Sequence, residues 1–315
     1  MEDLLQKHRP NLSESSVKTY CNCIKILYKN YQKISDKFKD KPITLSFLQN
    51  YSRVIHSIKD EPLTTKKSRL ACIVVFLKIT KTPEELVKKY QTEMTKVADE
   101  YQNWLKTQTK SKKQSDNWIT QNEVDKIIND LYETIKDFKN NETISDEQYN
   151  KLQVYTVLRL LSDINVRNEF AEIYKVNEST ILDDTKNYII KEDKFYKIIL
   201  NKYKTKKFLG TKEYIINKPL STVLNILFKF NKSNFLLTKR NRTTMLGTNG
   251  LSKMLIAFFK KTIGKSISTS MLRHINISEE LKDKPTIVED EIKYKQIENK
   301  YLHNKKQNDL YRKID

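Results

Sequence analysis

Apolar residues recur at intervals of three and four through most of the first hundred positions, the period that gathers them on one face of a helix. SSVKTYCNCIKILYKNY carries Val17, Tyr20, Ile24 and Leu27 at that spacing, with Ser13 or Ser15 placed to cap it. ITLSFLQNYSRVIHSI follows Pro42, and LTTKKSRLACIVVFLKI is expected to begin at a Thr64/Thr65 cap and to carry a strongly apolar face. TPEELVKKYQTEMTKVADEYQNWLKT opens on Pro83 and two glutamates, which suit the positive end of a helix dipole. Together these segments predict a helical bundle over 1–105. Residues 106–117, KTQTKSKKQSDN, are basic and aperiodic, and read as a flexible linker or an exposed loop.

A second domain is expected over 118–315. ITQNEVDKIINDLYETIKDF and EQYNKLQVYTVLRLLSDI are amphipathic at helical spacing. The period then shortens. YIIKEDKFYKIILNKYKT and KEYIINKPL alternate and are rich in Ile and Tyr, as strands are, with KKFLGT turning between them at Gly210. Helical spacing returns at LSTVLNILFKF and GLSKMLIAFFKKTIG and runs toward the end. The chain is therefore expected to be mainly α with a small antiparallel β-sheet.

Charge changes this picture most. Lys and Arg number 59 against 39 Asp and Glu, a formal charge of +20. A lysine-rich composition follows from AT-rich coding alone, but that does not account for the shortage of compensating acid. Such an excess favours a polyanionic partner, because binding DNA releases condensed counterions. In the first domain Lys18, Lys66, Lys67 and Arg69 lie near helix starts, where side chains and backbone amides both reach phosphates. They are candidate DNA contacts, or an ordinary solvated basic face.

Other classes are excluded by what is scarce. With only Gly210, Gly247, Gly250 and Gly264, the chain lacks the glycines of a Walker loop or a dinucleotide fingerprint. Cys21, Cys23 and Cys72, with four His in the whole chain, form neither a disulfide framework nor a zinc pattern, and read as buried or half-buried thiols. No metal and no cofactor is expected. No apolar run approaches the ~20 residues that span a bilayer, and MEDLLQKHRP has no signal-peptide core. The expected location is the cytoplasm or nucleus, with no secretion and no membrane.

Four patterns in the second domain carry candidate chemistry. DINVRNEFAEIY places Arg167 after an apolar helix, beside Glu169; NKYKTKKFLGT puts Lys204 where a strand meets the turn, among Lys202, Lys206 and Lys207. ISTSMLRHINIS sets Arg273 one residue before His274, and in YLHNKKQNDLYRKI His303 precedes Tyr311 by eight positions. In this order the patterns resemble the tyrosine recombinases, the phage-integrase type of DNA breaking and rejoining enzymes. VRNEF, YKTKKFLG and LRHINIS are most similar to recombinases of large DNA viruses, virophages and related mobile elements. NLSESSVKTY and TTKKSRLACIVVFLK likewise look like the family's helical core-binding domain.

The resemblance implies a core-binding bundle followed by a catalytic domain, acting on double-stranded DNA, as a tetramer on two duplexes, in the host cytoplasm or nucleus. It assigns Tyr311 as the nucleophile that forms a 3′-phosphotyrosyl bond, Arg167 and Arg273 as the phosphate-binding pair, Lys204 as the general acid and His303 as a further phosphate contact. The residue types fit that chemistry. Guanidinium groups bind non-bridging oxygens through planar paired hydrogen bonds, and a phosphotyrosyl link stores the bond energy, so rejoining needs neither ATP nor a metal. Two positions depart from the family. Ser270 stands where a His base is usual, leaving that role to His274, His303 or water, or leaving Ser270 a simple phosphate contact. Glu169 follows Arg167 by two positions rather than three, and either orients a cation or is a solvated carboxylate. Two alternatives share the fold: a monomeric topoisomerase, and an architectural DNA-binding protein with weakened catalysis.

Overall fold

The computed structural model describes residues 1–34, 41–164, 166–177, 183–282, 300, 301 and 311–313. The chain divides into two compact units, Met1–Thr107 and Gln108–Asp315.

The first unit is helical: α1 Glu2–His8, α2 Glu14–Gln32, a 3-10 turn Leu45–Gln49, α3 Tyr51–Ser57, α4 Leu63–Ile79 and α5 Glu84–Lys106. Ser13 caps α2, accepting from the Ser16 amide at 3.3 Å. The segment after Pro42 is not one helix. Asn50 breaks it, its side chain accepting from the Arg53 amide to cap α3, a job Asn does well because it competes with the backbone for hydrogen bonds. α4 starts at Pro62 rather than at Thr64 or Thr65. Its residues 72–77 are all buried, so it has no single apolar face. It is the central helix, packed against α1, α2 and α5, and a helix that is apolar all round belongs in that position. All three cysteines are free and buried there.

The second unit begins with a correction. Lys112–Asn117, expected within an aperiodic linker, is a short helix, α6. Its cause is local: Ser111 and Gln114 cap each other's backbone amides at 3.3 and 2.9 Å, which nucleates a turn without any apolar periodicity. The same reciprocal cap starts α7 Gln121–Ile135 at Thr120 and α8 Asp146–Asp163 at Ser145. The strands β1 Ile173–Val176, β2 Asn187–Glu192, β3 Phe195–Leu200 and β4 Lys212–Ile216 follow, with a single helical turn, α9 Lys206–Leu209, before β4. α10 Lys218–Phe230, α11 Thr248–Ile263 and α12 Thr269–Glu280 complete the described elements.

The unit is mainly helical with a small sheet, as the pattern predicts, but the sheet is mixed. Strand order is β1-β2-β3-β4, with β1 parallel to β2 and the other pairs antiparallel. β1 is four residues long, too short to show an alternation in the sequence. The long Ile/Tyr segment makes two strands, reversing at Asp193, whose φ of 36° closes the turn. α8 lies at the centre of the core, under α7, α10, α11 and α12. Gly264, at φ 74°, ends α11 in the left-handed region and lets the chain turn into α12. Among the described residues no helix is long and apolar enough to cross a membrane.

Candidate active site

Arg167 sits in the turn after α8. That turn is clamped by its neighbour Asn168, whose Oδ1 accepts from Thr269 Oγ1 at 2.6 Å and whose Nδ2 donates to Ser252 Oγ at 3.3 Å. Thr269 is the first residue of α12 and Ser252 lies on α11, so one amide side chain fixes the Arg167 turn against both helices.

Arg273, on α12, is only 1 % exposed. Its Nη2 donates to the Tyr301 carbonyl at 3.1 Å, and its guanidinium lies 5.5 Å from the Tyr311 ring centre and 5.6 Å from that of Tyr301. Burial pulls its pKa down to about 10; Tyr311 and Glu169 oppose that shift, while the like charge of Arg167 adds to it. Arg273 stays charged at neutral pH. Arg273 thus feels the charges of Tyr311, Arg167 and Glu169. Like guanidinium charges disfavour each other, and an anion bound by both relieves the repulsion. Oε2 of Glu169 is buried and makes no hydrogen bond among the described residues, and its charge favours the protonated form of Arg273.

His274 holds the nucleophile candidate. Its Nδ1 lies 2.7 Å from the Tyr311 carbonyl oxygen, and its ring stacks on the Tyr311 ring at 4.7 Å and 29°. A carbonyl only accepts, so Nδ1 carries the proton and Nε2 the lone pair. One turn further along α12, Ser278 Oγ accepts from the Lys313 amide at 2.7 Å. α12 thus fastens residues 311–313 at two points four residues apart. Burial pushes His274 down to about 4. A base that weak does not hold the tyrosine proton near neutral pH, so His274 orients Tyr311.

This depressed value sets a pH response. The undocked imidazole has its ordinary value near 6.5, so docking stability is complete above that pH and declines as pH falls from 6.5 toward 4. The full loss is about 3 kcal/mol. Exchange of the Lys313 amide, corrected for its intrinsic pH dependence, is expected to accelerate over that window in the native protein and to lose the response in His274→Phe.

The remaining candidates are placed differently. Ser270 is exposed on the first turn of α12, one turn before Arg273 and His274. Lys204 is exposed on the β3–β4 loop, and no hydrogen bond or ion pair joins it to the cluster among the described residues. Tyr214 on β4 is half-buried, and burial, then Tyr203 and Glu169, raise its hydroxyl well above the usual range. His303 lies outside the described residues. No group of three or more His, Cys, Asp or Glu among the described residues is placed to hold a metal. Asn168, Tyr301 and Ser278 were not singled out from the sequence. Asn168 adjoins Arg167 within VRNEF, and that adjacency is the one signal that points to it.

In the first unit Lys18 is exposed on α2 and pairs with Glu14 at 2.5 Å. Lys66 and Lys67 are half-exposed on α4, with Lys67 Nζ 5.8 Å from the Tyr101 ring centre. Arg69 faces inward: it is 12 % exposed, pairs with Glu61 at 3.4 Å and donates to the Cys23 carbonyl at 3.3 Å. Arg69→Ala removes one partner of the half-buried Glu61 carboxylate, which keeps Asn30 at 3.2 Å, and one donor to the Cys23 carbonyl. It should cost the unit ~1–3 kcal/mol in denaturant unfolding.

No family model matches the chain, and no curated protein matches it. Among solved structures, the crystal structure of XerA recombinase aligns with 100 % of this chain and 92 % of its own, at 13 % identity. Its TM-score is 0.40, a likeness too slight to carry weight for fold or function.

Proposed function

We propose that this protein breaks and rejoins DNA strands through a covalent phosphotyrosyl intermediate, as a site-specific recombinase or integrase of the tyrosine type. The observation that carries this reading is the placement of Arg273 against Tyr311, its guanidinium 5.5 Å from the ring centre, with the charge of Arg167 felt at Arg273. The order of the motifs along the chain supports the same reading.

In this mechanism a DNA phosphate takes the place between the guanidinium groups. The Tyr311 oxygen attacks phosphorus, forming a P–O(Tyr) bond while the bond to the 5′ oxygen breaks. The tyrosine proton leaves to water, since Ser270 is no base and His274 is too weak a one. The departing 5′ oxygen takes a proton from Lys204, which the β3–β4 loop must bring in when DNA binds. Rejoining runs the same steps backward. The guanidinium pair stabilises charge on the non-bridging oxygens throughout, the largest contribution expected of such a site. The remainder of the proposal is a bundle over 1–105 and a catalytic domain over 118–315 that grip one duplex together, with four subunits on two duplexes during exchange.

The test is a duplex nicked close to the scissile phosphate, so that the short leaving strand diffuses away and traps the intermediate. A protein–DNA adduct that survives denaturation, with its attachment mapped to Tyr311, is expected. Binding without any adduct would favour an architectural role. Relaxation of supercoiled plasmid at substoichiometric protein, without exchange of partners, would favour a topoisomerase.

A further inference from the structure

The β3–β4 loop displays an aromatic side chain in water. Phe208 is 82 % exposed, the most exposed large hydrophobic residue among those described. It stands on α9, in a stretch where Lys202, Lys204, Lys206, Lys207 and Lys212 occur with no acidic residue between them.

The loop is built to hold that ring out. At its base Asn187 Oδ1 accepts from the Asn201 and Lys202 amides at 2.9 and 2.7 Å, and Thr211 Oγ1 donates to Asn201 Oδ1 at 2.8 Å. Tyr203 Oη donates across the loop to the Gly210 carbonyl at 2.5 Å, and Lys206 Nζ donates to the Asp184 carbonyl at 2.7 Å. Gly210, at φ 67°, ends the single turn of α9 and sends the chain back into β4. Among the described residues Lys204 and Lys207 form no ion pair, so two cations just before Phe208 in the chain keep their charge uncommitted.

An isolated exposed apolar residue needs no explanation. A ring on a hydrogen-bonded loop, close after two such lysines in the chain, does, because proteins that deform duplex DNA insert apolar side chains between base steps while cations hold nearby phosphates. We propose that Phe208 is a wedge that enters a base step of the bound duplex, with the neighbouring Lys204 and Lys207 gripping phosphates near that step. Charge complementarity selects DNA as the occupant. This inference rests on the DNA reading above. Its consequence is that Lys204, which no hydrogen bond or ion pair among the described residues joins to the arginine cluster, approaches the DNA together with the wedge.

The experiment uses the full chain carrying Tyr311→Phe, so that the plasmid is not cut by the protein under study. That protein is bound to nicked plasmid, the nick is sealed with ligase, and the linking number is read after the protein is removed. An inserted side chain untwists its base step, so a lowered linking number is expected. Adding Phe208→Ala should abolish the shift and weaken duplex binding about ten- to a hundredfold, as loss of an aromatic–base stack does. The salt slope should not change, because no phosphate contact is lost. Removing an exposed ring leaves the core intact, so misfolding does not cloud the result. Undiminished affinity and an undiminished shift in Phe208→Ala overturn the wedge, as does loss of self-association with DNA binding intact, which would make Phe208 a contact between copies. If the Tyr311→Phe parent binds no duplex at all, the DNA reading itself falls, and that failure is read before the wedge is tested.

Discussion

Tyr311→Phe is expected to eliminate the covalent protein–DNA adduct while leaving duplex binding within about twofold of the native protein. The substitution removes one oxygen and nothing else. The ring remains to stack on His274, and its face remains to meet the Arg273 guanidinium. The backbone carbonyl that His274 holds is also unchanged. Loss of activity therefore reports the missing nucleophile and not a displaced segment. Removing a nucleophile of this kind costs on the order of 10⁶-fold in rate. Adduct formation is measured on the nicked duplex by denaturing electrophoresis, with binding followed separately by anisotropy. An adduct that persists in Tyr311→Phe refutes the assignment, and another of the 17 tyrosines would then be the attacking group.

Arg273→Lys is the second large effect. A lysine keeps the charge but loses the planar paired donors that match a phosphate, so single-turnover cleavage should fall about 10²–10³-fold. Arg273→Ala should fall at least as far, but it also empties a site that is 1 % exposed and removes a donor to the Tyr301 carbonyl. Lower stability is expected of it on those grounds alone. The lysine variant separates the two effects, because its aliphatic stem still fills space beside Tyr301. Cleavage by Arg273→Lys at the native rate, in a protein that circular dichroism shows to be folded, would remove Arg273 from the transition state.

Much of the fold was legible along the chain. Helical periodicity located α2, α5, α7, α10 and α11, because each packs one face and exposes the other, and it located α8 as well, although residues 152–158 are buried all round. It placed α4 as a helix but with one apolar face, where residues 72–77 are all buried, and it missed α6, where a capping box acts without any periodicity. β1 went unseen because four residues carry too little pattern, and its parallel pairing with β2 is a property of two segments that no single stretch contains.

For the site, residue types and their order are local facts, and they were enough to nominate Arg167, Glu169, Arg273, His274 and Tyr311. What the sequence alone determined is the chemical inventory and the succession of elements that carry it, since side-chain identity and apolar period belong to neighbouring residues. Tertiary structure alone decided which of these groups meet. Asn168 ties the Arg167 turn to α11 and α12, and Ser278 fastens the segment that bears Tyr311. His274 was drawn to attention as a substitute base and turned out to hold Tyr311 by its carbonyl, with burial pushing its pKa too low for proton transfer. Arg69, a candidate DNA contact by sequence, faces Glu61 and the Cys23 carbonyl in the structure. The physical reason is common to all four. Burial, hydrogen bonding and charge coupling depend on distances between elements far apart in the chain, and those distances exist only once the core has packed.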